Sequence, residues 1–157
     1  MDNILIWLVW FLLISIVAFL LIPRRKLVQL LPFGIVAGFL LPLALLLLIV
    51  PLLNLWSFNT TAASSLIGIP LSLPLALIPA MMIFAYYVPR MEANNMLTVF
   101  IAAFTVITTL IQGLSVSAGI MRFLRWDLLA SFLLTFSIYT LLALFILKYG
   151  VLSEEAE

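Results

Sequence analysis

The sequence contains neither cysteine nor histidine, and only 8% of its 157 residues are charged. Without cysteine there can be no disulfide framework, thiol nucleophile or thiolate metal site. Without histidine the chain lacks the commonest metal ligand and the commonest general base. Seven Lys and Arg residues nearly balance six Asp and Glu residues, so the chain lacks the basic excess that nucleic acid attracts. We therefore expect no metal, no cofactor and no nucleic-acid partner.

What the sequence has in excess is apolar residues, which make up 67% of the chain. A soluble domain contains roughly 45–50% apolar and about 25% charged residues. Thirteen charged side chains are too few to cover the exterior of a water-soluble fold of this length. The composition predicts an all-α, polytopic transmembrane helical bundle that forms one domain, residues 1–157, in the cell membrane.

Long apolar segments predict five transmembrane helices. Their approximate bounds are residues 4–22, 30–53, 65–88, 95–120 and 128–148. The first segment would span roughly 28 Å as a helix, which is close to the hydrocarbon thickness of a bilayer. The third contains Pro70, Pro74 and Pro79, so residues 54–88 could form one broken helix or two segments. Pro42 predicts a bend in helix two near residues 39–43.

The orientation is predicted by the basic segment Pro23-Arg24-Arg25-Lys26, which directly follows helix one. Basic residues beside a membrane span favour the cytoplasmic side. With the N-terminus outside and the C-terminus in the cytoplasm, five basic residues lie inside and two outside. The inside residues are Arg24, Arg25, Lys26, Arg90 and Lys148, and the outside residues are Arg122 and Arg125.

Three boundary features also carry a resemblance to known proteins. They are the basic segment Pro23-Arg24-Arg25-Lys26, Trp56 in the outer loop, and Tyr86-Tyr87-Val88-Pro89 at the end of helix three. Together they resemble small uncharacterised multi-spanning membrane proteins of spore-forming Firmicutes. The resemblance covers the first three helices and implies no activity.

The polar residues of helix four are the first candidate site. Thr98, Thr105, Thr109 and Gln112 fall within roughly 40° of one line on the helix surface. Such a face could line a path for a solute, because amides and hydroxyls both donate and accept hydrogen bonds. It could equally bond to a neighbouring helix, with Ser131, Thr135 and Tyr139 of helix five as the expected partners.

The outer turn between helices four and five is the second candidate. Arg122, Arg125 and Asp127 could contact an anionic headgroup or solute, since arginine suits phosphate and carboxylate groups. In the alternative interpretation, Asp127 caps helix five and the turn lies at the membrane interface.

Small residues predict where helices pack closely. Gly34 and Gly38 form a small-xxx-small pair in helix two, and Gly68 and Ser72 begin a similar strip in helix three. Because small residues let helix backbones approach, we expect both faces to contact other helices.

These features predict a non-enzymatic integral membrane protein that acts as a subunit, an accessory or a self-associating packing partner. The alternative is a binding or transport protein for a small solute, with its cavity between helices three, four and five. An enzyme acting on a lipid is a third hypothesis, in which Arg122, Asp127 and Glu92 would supply the reactive groups.

Neutralising the basic segment tests the orientation. Replacing Arg24, Arg25 and Lys26 with Gln should give a mixture of orientations, because two outside arginines then compete with only Arg90 and Lys148. Reporter fusions at the C-terminus measure the mixture. A C-terminus that stays wholly cytoplasmic would show that later helices set the orientation.

Overall fold

The computed structural model describes residues 3–59, 65–66 and 68–151, and it is mostly helical. The five helices are α1 (Asn3–Leu21), α2 (Arg24–Leu52), α3 (Ser72–Ala93), α4 (Leu97–Ser117) and α5 (Leu128–Tyr149). Four of them, α2 to α5, are long and apolar enough to cross a membrane, and α1 contains a shorter apolar stretch, Ile6–Leu21. The prediction of a mostly helical chain is therefore confirmed, and four of the five helices in the described residues are candidate membrane spans.

At one end of the bundle, the segments that connect the helices form short strands. The sequence did not predict these strands. They are β1 (Trp56–Phe58), β2 (Ser65–Leu66), β3 (Ile69–Pro70) and β4 (Met121–Phe123). Strand β1 pairs antiparallel with β4, so that Trp56 lies opposite Phe123. This pairing ties the α2–α3 connection to the α4–α5 connection.

Helix α2 begins at Arg24 and not near residue 30 as predicted. Pro23 precedes it with φ −57°, and its carbonyl accepts hydrogen bonds from the backbone N–H groups of Lys26 and Leu27. A proline fits at a helix start because its missing N–H is not needed there. The three basic residues therefore form the first turn of α2, and only Ile22 and Pro23 separate this helix from α1.

Two π-helical segments, Gly34–Leu40 and Leu48–Leu52, lie within α2 beside its prolines. The N–H of Leu41 donates to the carbonyl of Val36, five residues back. Proline has no N–H and interrupts the α-helical ladder, whereas a wider turn lets nearby carbonyl groups find other donors. The first π segment ends at Leu40, so it overlaps the start of residues 39–43, where Pro42 predicted a bend.

The third predicted segment starts differently. Helix α3 begins at Ser72 and continues to Ala93, whereas the predicted helix covered residues 65–88. Residues 65–66 and 69–70 instead form the antiparallel pair β2–β3, and Gly68 has φ +80° with open space around it. Glycine adopts a positive φ readily, and a helix cannot continue through that conformation. Pro70 in turn favours extended backbone at the residue before it. The placement of Gly68 on a helix-packing strip was therefore wrong.

Helix α3 is the centre of the bundle. Half of its span is buried, compared with 17% for α4 and 22% for α5. Phe84 and Val88 of α3 are fully buried with Leu30 of α2 in one apolar core. A second core lies around Trp56, Ile69 and Met121, beneath the strands.

Helices α2 and α3 approach each other closely at two glycines of α2. A Cβ added to Gly38 would lie 2.6 Å from the Cα of Ile78, and one added to Gly34 would lie 2.7 Å from Cγ of Met82. Any side chain at Gly38 would therefore meet backbone, which cannot move aside locally. The buried Ala37 lies between these two glycines.

Substituting alanine for glycine tests this contact. Gly38→Ala should destabilise the fold by about 1–3 kcal/mol, because it forces α2 away from the α3 backbone. The control is Gly113→Ala, where the new Cβ would meet only Leu128 side-chain atoms at 3.5 Å and 3.6 Å. That variant should be neutral or gain up to about 1 kcal/mol of helix propensity. Thermal unfolding in detergent measures both, and equal effects would mean that the α2–α3 contact is looser than described.

Candidate functional site

The four polar residues predicted to form one face of α4 lie in different environments. Thr105 is fully buried, Thr109 and Gln112 are half-buried, and Thr98 is exposed near the start of the helix. The Thr105 hydroxyl donates to the carbonyl of Ile101 at 2.8 Å, and the Thr109 hydroxyl donates to the carbonyl of Thr105 at 2.9 Å. Both hydroxyl protons are therefore used within α4 itself.

The threonine of α4 that hydrogen-bonds to α5 is Thr108, which lies beside the predicted face. The hydroxyl oxygens of Thr108 and Tyr139 are 2.7 Å apart and share one hydrogen bond. Ser131, another residue predicted on the α5 strip, is buried and accepts a hydrogen bond from the Trp126 indole at 2.9 Å. Tyr139, one of the expected partners on α5, thus bonds to α4, but to Thr108 and not to a residue of the predicted face.

Aromatic rings fill the space where α3, α4 and α5 meet. Phe84 of α3 lies 5.6 Å from Phe100, 5.1 Å from Phe104 and 5.1 Å from Tyr139, measured between ring centroids. Offset and edge-on contacts at these distances are favourable. The solute-transport hypothesis placed its cavity between these three helices. Rings occupy that position in the structure.

Gln112 differs from Thr105 and Thr109 because one of its polar atoms makes no hydrogen bond. Its side-chain oxygen Oε1 is enclosed by protein and has no hydrogen-bond partner. An enclosed carbonyl oxygen without a donor costs about 1–3 kcal/mol relative to a paired one. Gln112 therefore adds no stability through this oxygen.

The turn between α4 and α5 follows the capping interpretation. The Asp127 carboxylate accepts a hydrogen bond from the backbone N–H of Ala130 at 2.7 Å, which caps the start of α5. Arg122 lies in β4 opposite Ser57, and its side chain is exposed, as is that of Arg125. Headgroup contact by these two arginines stays a prediction.

A cavity that the sequence analysis missed lies at the opposite end of the bundle. Its volume is about 580 Å³, and its lining includes Lys26 from α2 with Arg90 and Glu92 from α3. In the sequence, Lys26 and Arg90 indicate the orientation of the chain. A signal was present, because both were assigned to the same side of the membrane, but their convergence depends on how the helices pack.

The described residues contain no group of three or more Asp and Glu side chains that could hold a metal ion. Comparison of the whole chain with protein families, curated proteins and solved structures found no match. The function must therefore be argued from the geometry.

Replacing Gln112 tests its role in α4. Gln112→Leu should leave the thermal stability unchanged or raise it, because the lost oxygen makes no hydrogen bond and leucine suits an apolar setting. The control Thr108→Val removes the bond to Tyr139 and should cost about 0.6 kcal/mol. If Gln112→Leu is the more damaging change in thermal unfolding, the amide has a partner in the folded protein.

Proposed function

We propose that the protein is a non-enzymatic, multi-pass protein of the cell membrane that works by packing against another membrane helix. It would act as a subunit or accessory of an assembly or as a homo-oligomer. The proposed topology has five spans, with the N-terminus outside and the C-terminus in the cytoplasm. The bias of basic residues supports this orientation.

One exposed face of α4 is the observation that carries this proposal. Its residues follow one another at alternating spacings of four and three, which is the repeat of a left-handed helix–helix seam. They are Val99, Ala103, Val106, Leu110, Gly113 and Ser117, of which Gly113 is half-buried and the others are exposed. The small, exposed residues Ala103 and Ser117 would let another helix approach closely, whereas Gly113 faces Leu128 of α5 in the same chain. We call these six residues the α4 seam.

The other small-residue face of the chain is already occupied. Gly34 and Gly38 pack against α3 of the same molecule, so they do not offer a surface to a second protein. Helix α4 is the least buried of the four candidate spans, which leaves its seam available. Because the seam combines small and branched residues in a regular repeat, the same seam of a second copy is a suitable occupant.

The other two hypotheses have less support from the described residues. The rings around Phe84 fill the position proposed for a solute cavity. For lipid chemistry, Asp127 is used as a helix cap, and it lies on the α4–α5 turn, whereas Glu92 lies in the last turn of α3. Packing against a second helix requires no such convergence of reactive groups.

Cysteine crosslinking tests the seam, and the chain offers a clean background because it contains no native cysteine. We expect Val106→Cys and Leu110→Cys to form disulfide-linked dimers in native membranes under mild oxidation. The matched controls are Leu133→Cys and Leu141→Cys on α5, which replace side chains of similar exposure to Leu110. These controls should remain monomeric.

Crosslinking at neither seam position, or at seam and control positions alike, would count against the proposal. A stronger version of the test adds Ile107→Cys, which is exposed on α4 but lies outside the seam. If the two helices pack along the seam, dimer formation should fall at this position while the helix remains the same.

A further inference from the structure

The cavity at the Lys26 end of the bundle has two chemically different parts. It is formed by the first turn of α2, the last turns of α3 and the end of α5. Ala85 and Ile146 belong to the buried apolar core, and Leu147 packs against that core. Lys26, Arg90 and Glu92 supply charged groups to the same cavity. A ligand that fits both parts has an apolar portion and a charged portion.

Arg90 is held in place before any ligand arrives. Its Nη1 donates a hydrogen bond to the backbone carbonyl of Tyr86 at 2.7 Å, and its guanidinium carbon lies 3.9 Å from the centroid of the Tyr86 ring. The Tyr87 ring packs edge-on against Tyr86 at 5.1 Å. Because a guanidinium has five N–H groups, this arrangement fixes the group and still leaves donors for an anion. A pre-positioned side chain loses less conformational entropy on binding.

The charge of the cavity lining favours a singly charged anion. Among the described residues that line the cavity, Lys26 and Arg90 contribute two positive charges and Glu92 one negative charge, so these three formal charges sum to +1. A phosphodiester carries one negative charge, and its oxygens accept hydrogen bonds from both arginine and lysine. The Glu92 carboxylate can accept hydrogen bonds from hydroxyl groups next to the phosphate.

The position of the cavity relates this chemistry to the membrane. Lys26 lies in the first turn of a candidate span and Arg90 in the last turn of another, which are the positions where a helix reaches the headgroups. Basic pockets between spans on the cytoplasmic side commonly bind lipid headgroups. The cavity volume of about 580 Å³ also lies within the usual range for small-ligand sites, roughly 300–1,000 Å³.

We propose that this cavity binds the phosphodiester headgroup of an anionic glycerophospholipid. Lys26 and Arg90 contact the phosphate, Glu92 accepts hydrogen bonds from headgroup hydroxyls, and the start of the acyl chains lies against Ile146 and Leu147. This site is separate from the α4 seam, so either proposal can fail without the other.

Binding of phosphatidylglycerol to the full-length protein in neutral detergent tests the site. Native mass spectrometry measures how many lipids bind and how tightly. We expect one tightly bound phosphatidylglycerol and weaker binding of phosphatidylcholine, whose headgroup lacks net charge and hydroxyls. The double variant Lys26→Gln/Arg90→Gln should lose at least about tenfold in affinity, because hydrogen bonds to charged groups contribute strongly.

Two further variants separate binding from folding and from general charge. Arg25→Gln removes one positive charge from the same basic turn but outside the cavity lining, and its affinity should stay within about twofold of the wild type. Ala93→Phe narrows the cavity without changing any charge and should also weaken binding. Since Arg90 contacts Tyr86 and its loss could affect folding, Lys26→Gln and Ala93→Phe provide the test in a folded protein.

Several outcomes would overturn the proposal. Equal affinity of phosphatidylglycerol and phosphatidylcholine would show that the cavity does not select an anionic headgroup. Equal loss in Arg25→Gln and Lys26→Gln would show general attraction to the basic turn. If glycerol phosphate without acyl chains bound as tightly as phosphatidylglycerol, the ligand would be a free phosphate ester and not a lipid.

Discussion

The close contact of α2 with the backbone of α3 is the constraint on which the bundle depends. At Gly38 the two helices approach so closely that a single methyl group would meet the Cα of Ile78. This approach places α3 at the centre, where it also packs against α1 and carries Phe84 into the ring cluster with α4 and α5. In lipid there is little hydrophobic gain from bringing helices together, so such close packing carries much of the association.

A lipid environment also explains why polar groups in the interior form hydrogen bonds within the protein. Backbone groups in lipid must be paired within the protein, and the π-helical segments of α2 keep its proline-containing backbone hydrogen-bonded. Hydroxyl groups follow the same rule, because Thr105 and Thr109 donate to carbonyls of their own helix. The two regions proposed for recognition lie on the surface of the bundle. They are the exposed seam of α4 and the charged cavity beside the first turn of α2.

These two regions suit different partners because their surroundings differ. The α4 seam is apolar and regular along the helix, which suits another helix in the same membrane. The cavity combines Lys26, Arg90 and Glu92 with an apolar wall, which suits an amphiphile at the membrane boundary.

The sequence by itself determined the properties that depend only on residues near one another in the chain. Hydropathy marked five helices and placed α5 within one residue of its observed ends, and the residue type of Asp127 before α5 indicated it as the cap. Only the tertiary structure decided which residues meet. The β1–β4 pair, the Thr108–Tyr139 bond and the convergence of Lys26 with Arg90 join residues far apart in sequence. Apolar residues favour lipid wherever they lie, whereas a contact also requires matching shape and orientation between helices, which local composition does not encode.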